Sequence, residues 1–93
     1  MIDVSCTSTD DPLEFVVTVG AGADKSRHNV TMDKATHDKL GGGHDPERVI
    51  AAAFAFLLDR EPRESILPRF DVTVISRYFP EFETELPRYL EKT

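Results

Sequence analysis

One cysteine in 93 residues, Cys6, excludes an intrachain disulfide and the stapled scaffold of many small secreted proteins. Basic charge is scarce as well. Eleven Lys and Arg face 17 Asp and Glu, giving a formal net charge of −6. Residues 1–45 hold four basic against eight acidic side chains, and residues 46–93 hold seven against nine. Neither half offers the positive field that phosphate-backbone binding needs, which disfavours nucleic acid and anionic membrane surfaces alike. The longest apolar run, Val49 to Leu58, is ten residues, about half of a membrane span. No charged start followed by an apolar run suggests a signal peptide, so the expected location is cytoplasmic.

The usual marks of catalysis are missing too. There is no Gly-x-Ser-x-Gly elbow for a nucleophile. Gly41-Gly42-Gly43 precedes a helix, but Asp45 puts negative charge where a phosphate would sit, and Pro46 removes an N–H that would hold it. His28, His37 and His44 match no compact zinc spacing, and Cys6 is too distant to complete one. The clustered carboxylates Glu61, Glu64, Glu81, Glu83 and Glu85 read as a solvated face. A cleft adequate for catalysis is also hard to enclose in so short a chain. The expectation is a non-enzyme with no cofactor and no metal.

What is present suffices for one domain. Leu, Ile, Val and Phe number 25, more than a quarter of the chain and above the level typical of disorder. A chain this short buries only about 60–65% of its unfolded surface, so its core must be efficient. Residues 13–92 are expected to form a single α+β unit. Residues 1–12 are either a short edge strand, on the alternation of Ile2, Val4 and Cys6, or a loose tail ending at the Asp10-Asp11-Pro12 turn.

The alternation of Phe15, Val17 and Val19, then of His28, Val30 and Met32, predicts an antiparallel hairpin over about 14–19 and 27–32. Residues Gly20 to Ser26 form its loop. Asp33 is placed to cap a short helix to about Leu40, with Ala35 and Leu40 turned inward. Asp45-Pro46-Glu47 opens a second helix, running to about Arg60, with a capping acid, a proline at the first position and an acid in the first turn. Its middle is apolar on every side, so it is the central helix on which the rest packs.

Beyond Pro62 the pattern is two-sided. Val72-Thr73-Val74-Ile75 has strand propensity, giving a third strand at 70–76 as one reading. Phe70, Val74, Tyr78, Phe82, Leu86 and Leu90 recur every fourth residue, which favours helices at about 71–79 and 81–91, kinked at Pro80. The fold expected is therefore a hairpin packed on three or four helices around 46–60. Arg77, Tyr78, Phe79 and Phe82 bring three aromatic rings and an arginine together within six residues, the composition of an interface hot spot. The same rings could instead close the core.

Three local resemblances accompany this reading. Phe54 to Pro62, with Ser65-Ile66-Leu67 and Arg77 to Glu81, resembles a block from small bacterial hypothetical proteins of unknown function. Residues 27–60 resemble a ribbon-helix-helix segment, a likeness that implies a dimeric DNA-binding regulator. In it Arg27, Asn29 and Thr31 would point from the strand into the major groove. Here, though, that strand is expected to pair with 14–19 of its own chain, and the surface is acidic. Gly42 to Ala53 resembles the helix entry of OsmC-like peroxide-handling proteins, without the reactive cysteine which that family carries on the helix. The functional expectation is a non-catalytic protein–protein interaction or accessory module with an unidentified protein partner, as monomer or homodimer. The alternative is the ribbon-helix-helix-like regulator.

Overall fold

Period-two burial organises the first third of the chain. A computed structural model describes residues 1–91, so residue 92 of the expected 13–92 unit lies outside the described residues. Strands β1 (Ile2–Ser8), β2 (Leu13–Ala21) and β3 (Asp24–Met32) form an antiparallel meander. Leu13, Phe15, Val17 and Val19 of β2 and His28, Val30 and Met32 of β3 are buried on one face. Ile2, Val4 and Cys6 of β1 extend that face to the sheet edge. Residues 2–8 are thus a paired strand and not a loose tail. A bulge between Cys6 and Ser8 ends the regular register.

The hairpin is longer than its apolar alternation suggests. Most of the polar stretch Gly20 to Ser26 is paired strand, and only Gly22 and Ala23 lie between β2 and β3. Gly22 takes φ +61° at the first turn position, where a two-residue hairpin of this kind calls for glycine. Gly20, at φ +108°, also has no room for a side chain: a Cβ there would lie 2.4 Å from the Asp24 carbonyl oxygen.

Four α-helices follow among the described residues: α1 (Lys34–Gly41), α2 (Pro46–Leu58), α3 (Thr73–Tyr78) and α4 (Phe82–Glu91). Together with the sheet they give the expected α+β class. Pro46 opens α2 as its sequence signal predicts, but neither Asp33 nor Asp45 makes a side-chain cap. Their backbone carbonyls start the helices instead, Asp33 accepting from His37 N–H and Asp45 from Arg48 and Val49. Ala35 is exposed, contrary to expectation, while Leu40 packs partly against the core.

The ring of apolar residues on α2 is enclosed by the sheet and by α4. Val49, Ile50, Ala52, Ala53, Phe54, Phe56 and Leu57 are all buried. Phe54 leans on His28 and Phe70, with ring centroids 5.4 and 6.0 Å apart. Phe56 meets Phe79, Phe82 and Tyr89 edge-on at 5.9, 5.1 and 5.8 Å. Edge-on rings of this kind add to the area they bury.

His28 is the only buried polar side chain among the described residues. Nδ1 lies 2.8 Å from the Leu67 carbonyl, which can only accept, so Nδ1 carries a proton. Nε2 lies 2.9 Å from Ser26 Oγ. Both ring nitrogens are therefore satisfied, and the imidazole ties β3 to the chain that crosses over toward the sheet's last strand.

That strand, β4 (Arg69–Asp71), pairs parallel with β3, Asn29 opposite Arg69 and Thr31 opposite Asp71. The chain turns helical at once afterwards, so the strand and helix readings of 70–76 each hold for part of the segment. The switch is local chemistry. Asp71 Oδ2 accepts from the Thr73 N–H at 3.0 Å and the Thr73 hydroxyl at 2.6 Å, turning the chain into α3. Asp71 Oδ1 accepts from the Thr31 hydroxyl at 2.6 Å.

Partial burial alone would raise the Asp71 carboxyl, but these hydrogen bonds outweigh it and hold the group below its ordinary value. A depressed carboxyl stabilises the fold above the unfolded value of about 3.9, and the gain is lost as pH falls through the folded value. Urea melts of Asp71→Asn should therefore show a stability deficit against the parent at pH 7 that narrows steadily below about pH 4. A deficit that does not change with pH contradicts this assignment.

Candidate functional site: a groove beside the aromatic block

The four-residue stripe from Phe70 to Leu90 breaks where the chain passes from strand to helix and again at Phe79 and Pro80. At α3 the inward line is Val72, just before the helix, and Ile75 within it, with Phe79 partly buried on Phe56. Val74 is half-buried and Tyr78 is turned outward. In α4 the stripe resumes as Phe82, Leu86 and Leu90, all buried.

The aromatic block is thereby divided. Phe82 is 1% exposed and belongs to the core, not to a contact surface. Tyr78 is 69% exposed. Arg77 is exposed beside it. The outward turn of α3 opens a groove of about 410 Å³ between that helix and the C-terminal end of α2. Leu57 and Glu61 form one wall, and Ser65, Ile66 and Leu67 form the end. Phe70, Val74 and Ile75 line it further, and Tyr78 and Phe79 complete it. Leu67, at the rim, is 46% exposed.

Tyr78 and Phe79 were legible as candidates, while Arg77 lies outside the lining. Leu57, Glu61, Leu67, Phe70 and Val74 join them in the lining without any local motif that marks a site. The sequence shows only a leucine before Pro68, and its exposure depends on a tertiary path that periodicity does not encode.

Next to Glu61 in the chain, Arg60 braces the end of α2 against α4. Arg60 Cζ sits 3.7 Å from the centre of the Phe56 ring, a cation–π contact. Its Nε donates to Glu81 at 3.1 Å, and Nη1 donates to the Tyr89 hydroxyl and the Phe56 carbonyl, each at 3.3 Å. Tyr89 in turn donates to Asp59 at 2.5 Å. The Tyr89 bond first, and then Glu81, raise the Arg60 guanidinium above its ordinary value. Glu81 is lowered by its own backbone N–H and then by Arg60.

The remaining candidates lie apart from the groove. Arg27 and Asn29 are exposed and Thr31 half-exposed on the outer face of β3. That strand is flanked by β2 and, over 29–31, by β4, so the edge a ribbon-helix-helix dimer would pair is occupied there. His37 Nε2 is 2.7 Å from the His44 carbonyl, so backbone and not a second imidazole meets the ring. Among the described residues no group of three or more His, Cys, Asp or Glu side chains is placed to hold a metal. None of the described helices is long and apolar enough to cross a membrane. No family model, curated protein or solved structure matches the chain.

Proposed function

We propose that the chain is a non-catalytic protein–protein interaction or accessory module of the cytoplasm, and that its contact surface is the groove with Tyr78 and Leu67 at its rim. One observation carries the reading: two large side chains, Tyr78 at 69% and Leu67 at 46% exposure, flank an apolar depression in a chain whose other aromatics are drawn inward. Exposed apolar patches beside a concave surface mark binding sites, and tyrosine is among the residues that dominate interface energetics.

The test is comparative. A tagged parent chain recovered from its native cells should retain a protein partner. Tyr78→Ala and Leu67→Ser should lose at least about tenfold in retention, the scale of removing a hot-spot side chain, with unchanged circular dichroism. A parent that retains no protein, or variants that retain it undiminished, overturns the proposal.

A further inference from the structure

We infer that the groove takes a cationic amphipathic segment of a partner protein, its apolar side chains on the groove floor and a lysine or arginine against Glu61. This rests on the groove being the contact surface. Glu61 is half-buried in the groove wall and is the only charged residue in the lining.

The cations nearest to it in sequence are engaged elsewhere. Arg60 is held by Glu81 and Tyr89 over the Phe56 ring. Arg63 pairs with Asp24 at the hairpin turn. No ion pair among the described residues uses Glu61. Its backbone N–H bonds the Leu57 carbonyl at 2.9 Å, which places residue 61 in the turn that closes α2.

A second copy of this chain is the poorer occupant, because each copy carries −6 and would bring its own Glu61. An anionic ligand meets the same repulsion. Apolar floor and negative corner are complementary to a segment with adjoining apolar side chains and a basic residue at their margin.

Amide chemical-shift mapping tests this with three short, end-blocked peptides that share a Leu-Leu-Phe-Leu core and are flanked by Lys, Gln or Glu. The Lys peptide should shift the amides of Ile66, Phe70, Val74 and Tyr78 and bind about fivefold tighter than the Gln peptide, with the Glu peptide weakest. Glu61→Gln should abolish that preference. Glu14→Gln, which removes the same charge from the outer face of the sheet, should keep it. A preference that survives Glu61→Gln reflects general acidity and overturns the inference. Equal binding of all three at the groove overturns it while leaving the contact-surface reading intact. Shifts elsewhere, or none, overturn both.

Discussion

Phe56→Ala should cost about 3–5 kcal/mol, the range for truncating a fully buried phenylalanine. For a chain of this length the whole folding free energy is about 5–14 kcal/mol, so this one change removes a large share of it. The reason is position. Phe56 is buried on the enclosed helix α2, takes edge-on contacts from Phe79, Phe82 and Tyr89, and bears the Arg60 guanidinium on its face. Truncation opens a cavity among three rings and leaves the arginine without its aromatic support. Phe56→Leu, which keeps most of the volume, should cost much less. Urea denaturation followed by circular dichroism measures both, and a loss below about 1 kcal/mol for Phe56→Ala would be incompatible with a buried hub.

Phe82→Ala and Tyr78→Ala, four residues apart, should differ in stability by several kcal/mol. Phe82 is 1% exposed and packs 5.1 Å from Phe56, so its truncation should cost about 3–5 kcal/mol. Tyr78 is 69% exposed, and its truncation should fall within about 0.5 kcal/mol of the parent, as for surface substitutions generally. Thermal melts of the two variants side by side decide the matter. Equal losses would place both rings in the core and remove the basis for a contact surface at Tyr78.

The parts of the fold legible in the sequence were those where local chemistry and burial agree. The alternation of Phe15, Val17 and Val19 against His28, Val30 and Met32 marks a hairpin with one buried face, and that face is buried. The apolar middle of α2 behind Pro46 marks an enclosed helix, and it is enclosed. Where backbone pairing acts without apolar side chains, the signal fades: residues 20–26 read as loop yet are mostly paired strand.

The region after Pro68 misleads for a different reason. A four-residue repeat suggests one continuous stripe, but Asp71 and Pro80 divide it into a strand and two helices whose inward faces are out of phase. Tyr78 consequently faces solvent, while Phe82, one repeat later, is buried. The groove arises from that phase change and draws its walls from α2, the turn after it, β4 and α3. No short window of sequence contains it.

Native-state amide hydrogen exchange tests most directly whether α2 is the sealed centre of the molecule and α3 its open margin. The amides of Ala52 to Phe56 should exchange only through global unfolding, with protection equal to the free energy from urea melts. Those of Val74 to Tyr78 should open at measurably lower free energy. Exchange in α2 as fast as in α3 would contradict the architecture from which both the core and the groove are argued.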